Sequence, residues 1–160
     1  MAKRPDDGTT TVASNRSVRH DFFIDDTFEV GIMLKGSEVK SLRESKAQIS
    51  EAFAQMRNGE MFLHNLHIAP YSHSQRHNGH EPLRVRKLLM HRKELNKISM
   101  RLQQERLSIL PMRIYFKDGK AKVEIGLGKA KRKQDKRQDL AAKEAGREAQ
   151  REMGRALKQW

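Results

Sequence analysis

The chain has 160 residues and carries 33 Lys and Arg against 20 Asp and Glu, a net charge of +13, so one domain with appendages and a polyanionic partner are expected, nucleic acid first among them. The absence of cysteine excludes a disulfide framework, a thiolate nucleophile and a zinc–thiolate site, and it makes the cytosol the expected compartment.

The opening MAKRPDDGTTTVASN is polar and lacks the apolar stretch of a signal peptide. No apolar run approaches the roughly 20 residues that span a bilayer, so no membrane partner is expected. Residues 1–14 read as a flexible arm, residues 15–128 as a compact body and residues 129–160 as a basic tail.

Within the body, residues 28–34 alternate as a strand, with Phe28, Val30, Ile32 and Leu34 on one face. A short helix is expected within 38–44. Residues 52–56 and 61–66 flank Asn58-Gly59, and residues 107–116 and 121–127 flank Asp118-Gly119. Asn-Gly and Asp-Gly between apolar runs are strong hairpin signals, because both central turn positions need positive φ. A polar loop, 70–82, leads into a helix that starts near Pro82, with Leu88, Leu95, Ile98 and Leu102 as its apolar face. Several short strands with an inserted helix predict a mainly β fold. An oligonucleotide-binding (OB)-like small barrel, closed or partly open, comes first; a half-open sheet with one helix packed on it is the alternative.

The tail, from Lys129, holds eleven Lys/Arg, five Asp/Glu and few large apolar residues. Alone it cannot offset its ordering entropy and is expected to be disordered. At helical spacing, however, Lys143, Arg147, Arg151 and Arg155 form a basic stripe. Glu144, Glu148 and Glu152 form an acidic stripe, and Ala141, Ala145, Ala149, Met153 and Leu157 a thin apolar one. The tail is therefore expected to become helical on a polyanionic partner.

Catalytic and metal constellations are weak. His64, His67, His73, His77 and His80 invite a metal, but Pro70, Asn78-Gly79 and Pro82 argue for loop and no carboxylate or Cys completes a set. Ser37-Glu38-Val39-Lys40 matches Ser-x-x-Lys, a nucleophile motif, with no partner motif after it. No catalytic residue, metal or cofactor is assigned. Two basic clusters stand out instead: Asn15-Arg16-Ser17-Val18-Arg19-His20, and Arg84-Val85-Arg86-Lys87 before Leu88-Leu89. Guanidinium groups can fork to phosphates, and neighbouring apolar groups can meet bases or riboses. With only 6% aromatic residues, the composition favours folded RNA read through its shape, phosphates and 2′-hydroxyls over a strand of stacked bases.

These stretches carry a family resemblance. Asn15 through Ile24, Phe28 through Ile32, Gly36 through Arg43, His67-Ile68-Ala69-Pro70-Tyr71, Pro82 through Leu89, Tyr115 through Lys120, Lys122 through Leu127 and Asp135-Lys136-Arg137 resemble the small protein B family. Those are the SsrA-binding (tmRNA-binding) proteins of bacterial trans-translation. The resemblance covers about residues 15 to 160. It implies an OB-like barrel without catalysis that binds the tRNA-like domain of tmRNA, while elongation factor Tu carries the charged acceptor end. The tail would enter the decoding centre and empty messenger channel of a stalled ribosome and fold there as a helix. A monomer is expected.

By motif, Glu29, Leu89 and Lys122 match family positions implicated in tmRNA binding, with Asn15, Arg16, Arg19 and His20 nearby. Asp135, Lys136 and Arg137 match the decoding-centre motif. The expected RNA-contacting set adds Arg84, Lys87, Lys129 and Lys131; the expected tail set adds Lys143, Arg147, Arg151 and Met153. Two departures stand out. Gly128-Lys129-Ala130-Lys131-Arg132 exchanges the small residues of the family's usual Ala-Lys-Gly-Lys-Lys, and Gln134 stands where the family often has an aromatic residue or His that can stack. On the residues alone, Glu29 reads as a solvated strand carboxylate and Leu89 as a core residue of the helix. Open alternatives are an RNA-processing or ribosome-assembly protein on the same barrel, and an enzyme built on Ser37 and Lys40 or on the His loop.

Overall fold

The computed structural model describes residues 8–72 and 79–158. In chain order these form β1 (Thr9–Ser14), α1 (Val18–Asp21), β2 (Phe22–Ile32), α2 (Gly36–Arg43), β3 (Ala47–Gln48), β4 (Phe53–Arg57), β5 (Glu60–His64), β6 (His67–Ile68), β7 (Arg86–Leu89), α3 (Arg92–Gln104), β8 (Ser108–Lys117), β9 (Lys120–Ala130) and α4 (Lys133–Lys158). His73 and His77 lie outside the described residues.

The strands close into an antiparallel ring, β8–β4–β5–β7–β2–β9, joined through β8–β9. The barrel reading holds over the half-open sheet. Both hairpins form where the turn residues predict. Asn58 and Gly59 have φ of 52° and 76°, and Asp118 and Gly119 have 51° and 75°, the left-handed pair that a two-residue hairpin turn requires. Val30, Ile32, Met61, Leu63, Leu88, Ile114, Val123, Ile125 and Leu127 fill the barrel, and Leu95 and Ile98 of α3 pack on it.

Four expectations need correction. Residues 9–14 are not part of a flexible arm: the β-branched run Thr9-Thr10-Thr11-Val12 forms β1 and pairs with β8 from Thr9↔Lys117 to Ser14↔Arg113. The body does not end at residue 128, because β9 continues to Ala130, opposite Phe22. The strand expected from Phe28 begins at Phe22. The helix expected from Pro82 begins only at Arg92, and residues 86–89 form β7. Leu88 is therefore a buried barrel residue of a strand, and Leu89 faces outward, 49% exposed.

Beneath α2 lies an ion pair sealed from solvent. The Glu38 and Arg86 side chains are both 0% exposed and bonded to each other. Arg84 Nη2 reaches Glu38 Oε1 at 2.5 Å, and the Lys35 N–H donates to the same oxygen at 2.8 Å. Arg86 spends its remaining donors on the carbonyls of Leu66 (2.7 Å) and Pro82 (3.2 Å). Beside this clasp, His80 Nε2 lies 2.9 Å from the Ile68 carbonyl and Nδ1 lies 2.9 Å from Ser37 Oγ. A carbonyl only accepts, so Nε2 carries a proton, and in the neutral imidazole the Ser37 hydroxyl then donates to Nδ1.

Gly128 is fixed by close approach. A Cβ there would stand 2.6 Å from the Phe23 carbonyl oxygen and 2.7 Å from Ile24 Cδ1. Gly128→Ala must push β9 away from β2 and is expected to cost about 1–3 kcal/mol. A melting temperature for Gly128→Ala equal to that of the parent protein contradicts this.

Candidate nucleic-acid interface

Two rows of side chains cross the outer barrel face. Strand register places Ser14 beside Arg113, Arg113 beside Glu124 and Glu124 beside Glu29. Two residues along, Tyr115 lies beside Lys122, Lys122 beside Gly31 and Gly31 beside Leu89. Side chains at period two share a face, and the intervening Val30, Val123 and Ile114 point into the core. Glu29, Leu89 and Lys122, 33 to 93 residues apart in sequence, are thereby gathered on one surface.

Glu29 is held rather than merely solvated. The Tyr115 hydroxyl donates to Glu29 Oε2, and Lys117 Nζ lies 3.3 Å from Oε1. The Tyr115 hydrogen bond, opposed by partial burial and reinforced by Lys117 and Lys122, holds the Glu29 carboxyl below its ordinary value of 4.5. Burial and the Glu29 charge push the Tyr115 phenol well above its usual range. Arg113 lies over the Tyr115 ring at 4.2 Å from its centroid and pairs with Glu124 at 3.3 Å. Tyr115, Arg113 and Lys117 escaped the sequence reading. Clean strand alternation places them on this face, but nothing local says that Tyr115 reaches a residue 86 positions away.

The other expected contacts divide. The Asn15 N–H donates to the Met112 carbonyl at 2.8 Å, and Asn15 Oδ1 accepts from Ser17 Oγ at 2.9 Å; Arg16 and Arg19 are exposed and His20 is half-buried. This corner abuts the first row, since Ser14 is three strand spacings, about 14 Å, from Glu29. Lys129 and Lys131 lie at the far end of the β2–β9 ribbon, about 25 Å from Lys122 at roughly 3.4 Å per residue. There Lys129 pairs with Glu105 at 3.1 Å. Lys131 is largely covered, pairs with Asp139 and sits 4.8 Å from the Phe23 ring centroid. Lys87 is half-exposed and pairs with Glu60 at 3.0 Å. Arg84 is turned to Glu38, so its guanidinium serves the buried clasp.

The tail runs as one helix in which no residue is buried. Asp135 Oδ2 accepts from the Arg132 N–H at 3.1 Å, Lys136 pairs with Asp21 at 3.0 Å, and Arg137 is free to point outward. Two of the three residues matching the decoding-centre motif are thus engaged at the helix root. Lys143, Arg147, Arg151 and Met153 are all exposed. Among the described residues no ion pair joins the acidic and basic stripes.

Outside this face, Lys40 lies over the Tyr71 ring at 5.5 Å while Ser37 bonds to His80. Ser-x-x-Lys is thus not assembled as a nucleophile and its base. His64 stacks on Phe53, with ring centroids 5.1 Å apart. Among the described residues no group of His, Asp or Glu could hold a metal, and no helix is long and apolar enough to cross a membrane.

A closed, strongly basic β-barrel with a patterned polar face and a projecting cationic helix defines a nucleic-acid-binding protein of the small-barrel class. The SmpB protein family matches residues 12–155. The SsrA-binding protein of Geobacter sulfurreducens is 49% identical over 152 residues, covering 95% of this chain and 96% of that protein. The SsrA-binding protein of Bacillus licheniformis is 50% identical over 140 residues, 88% of each chain. A chain of the solved structure described as "tmRNA-SmpB: a journey to the center of the bacterial ribosome" superposes with a TM-score of 0.63 at 42% identity, covering 80% of this chain and 93% of that one. The chain belongs to the SmpB family.

Proposed function

We propose that this chain binds SsrA RNA (tmRNA) and delivers it to stalled ribosomes in trans-translation. The observation that carries this reading is the convergence of Glu29, Leu89 and Lys122 on one outer barrel face in a chain of this family. That face, with Asn15, Arg16, Arg19 and His20 at its corner, meets the tRNA-like domain. Lys122 and the two arginines address phosphates; Glu29, with its carboxylate fixed by Tyr115, accepts hydrogen bonds from ribose hydroxyls or base amino groups. Leu89 supplies an apolar contact. The tail, through Asp135, Lys136, Arg137, Lys143, Arg147, Arg151 and Met153, occupies the decoding centre and empty messenger channel. The protein works as a cytoplasmic monomer without catalysis of its own, and elongation factor Tu holds the charged acceptor end of the RNA.

Binding of the tRNA-like domain, measured across a salt series, tests the reading. Lys122→Ala is expected to flatten the slope of log K against log salt by about one unit or less, because one phosphate contact releases about one counterion. Glu29→Gln is expected to weaken binding without flattening the slope. Equal binding by Glu29→Gln and the parent protein returns Glu29 to a solvated carboxylate.

Tyr115→Phe adds a pH arm. The hydroxyl lowers the folded pKa of Glu29, so removing it lets that pKa rise. Binding that needs the carboxylate is then lost at a higher pH as the solution is acidified, with little change near pH 7, where Glu29 stays ionised in both proteins. An unchanged acid limb contradicts the role of Tyr115.

A further inference from the structure

We propose that a small pocket between β2, α2 and the β8–β9 hairpin receives one unstacked nucleobase of the bound RNA, an inference that rests on the RNA-binding reading above. The pocket holds about 330 Å³, at the low end for ligand sites, suited to a single nucleoside and too small for a helix. Its walls are Leu34, Val39, Leu89, Phe116 and Ala121, and its floor opens at Gly31. A Cβ at Gly31 would stand 3.3 Å from Leu89 Cβ, so the absent side chain is what lets Leu89 flank the opening.

Charge selects the occupant. Several cations of the barrel are already matched: Arg84 and Arg86 with Glu38, Lys87 with Glu60, Lys97 with Asp26, Arg101 with Asp25, Arg113 with Glu124. At this pocket they are not. Lys120 and Lys122 line it, and Arg43 lies over the Phe116 ring at 4.8 Å from the centroid. Among the described residues none of the three forms an ion pair. An apolar slot ringed by unmatched cations suits a ligand that is flat and apolar in one part and anionic in the next, as a nucleotide is. RNA recognition commonly takes splayed bases in this way, stacking them on aromatic rings and guanidinium planes. An apolar side chain of a protein partner would fill the slot but leave the rim charges unanswered. Sequence reading singled out Leu89 and Lys122 but not Arg43, Lys120 or Phe116, because the pocket needs α2 folded against a hairpin more than 70 residues later.

The test uses the full-length protein and transcribed SsrA RNA. A photo-crosslinker in Lys120→p-benzoylphenylalanine, with primer extension on the RNA, is expected to mark a single unpaired nucleotide. Removing that nucleotide's base is expected to weaken binding by the parent protein about tenfold, in the range that base stacking gives. Ala121→Leu, which fills the slot, is expected to weaken binding of intact RNA similarly and to bind the abasic RNA no worse than the intact RNA. Should Ala121→Leu lower the melting temperature sharply, the abasic comparison with the parent protein decides alone. Crosslinks spread along a duplex, or equal affinity for intact and abasic RNA, overturn the pocket assignment and leave the RNA-binding reading standing. Failure of the parent protein to bind SsrA RNA at all overturns both.

Discussion

Glu38→Gln is expected to lower stability by about 3–5 kcal/mol, the cost of leaving a buried charge without its partner. Arg86 has nowhere to go. It is 0% exposed, and its other donors face only the carbonyls of Leu66 and Pro82, which cannot neutralise it. At roughly 2–4 °C per kcal/mol for a chain of this size, the melting temperature should fall by about 10 °C. The double variant Glu38→Met with Arg86→Met removes both charges and is expected to recover part of the loss, because apolar replacement of a whole buried pair is often neutral. Additive losses from the two single changes would contradict this coupling. The pair also sets an acid limb. Burial raises the Glu38 carboxyl, but Arg84, Arg86 and the Lys35 N–H more than reverse it and hold it below its ordinary 4.5. A depressed folded pKa contributes stability that is present above 4.5 and lost as pH falls through the lower folded value. Glu38→Gln should therefore show a shallower loss of stability on acidification than the parent protein.

That same clasp explains what the sequence could not disclose. Hydrophobic periodicity assumes that arginine points out and leucine in. In β7 the code inverts at both ends: Arg86 is buried and Leu89 exposed. With the alternation hidden, Leu88, Leu95, Ile98 and Leu102 fit a helical face at period 3.6, and a helix over the whole stretch becomes the natural reading. Only Glu38, 48 residues earlier, makes an inward arginine tolerable, and no local window contains both. The hairpins were legible for the opposite reason. Asn58-Gly59 and Asp118-Gly119 carry their backbone requirement within two residues, and the flanking alternation fixes the register. The β1 strand falls between: its Thr-rich run has strand propensity, but only the free stretch of β8 edge gives it a partner.

The candidate site divides along the same line. The motif resemblance supplied Glu29, Leu89 and Lys122 as separate positions, and the register of β7, β2 and β9 turns them into neighbours. Arg84 read as a free phosphate contact because charge clusters look solvated in sequence; its guanidinium in fact answers a buried carboxylate. Lys131 read likewise, yet it is closed off at the junction of tail and barrel, where its own N–H donates to the Asp21 carbonyl at 2.8 Å. Tyr115 falls on the outward face by strand alternation, yet it is buried at 1% exposure. Its value lies in its hydroxyl, which donates to Glu29 and fixes that carboxylate.

Removal of the tail is expected to abolish peptide tagging on stalled ribosomes while leaving RNA binding and the barrel nearly intact. The helix buries no residue, so a chain ending at Arg132 forfeits the pairs Lys131–Asp139 and Lys136–Asp21 and the Asp135 bond to the Arg132 N–H but no core packing. The proposed ribosomal role lies in the helix itself, and its ordering is finely balanced. Gly146 and Gly154 each cost about 1 kcal/mol relative to Ala, nucleation is unfavourable, and the Glu–Arg stripes close no ion pair to offset either. The tail is therefore expected to be mostly coil when isolated and helical when held by a polyanion. A Cβ at Gly146 or Gly154 meets nothing within 4 Å, so Gly146→Ala with Gly154→Ala should raise the helicity of the isolated tail by circular dichroism and preserve or improve tagging. Gly146→Pro removes a helix hydrogen bond at about 3 kcal/mol. It should impair tagging while sparing the affinity for SsrA RNA. Full tagging by Gly146→Pro would show that a continuous helix is not the working form. Full tagging by the chain ending at Arg132 would remove the tail from the mechanism altogether.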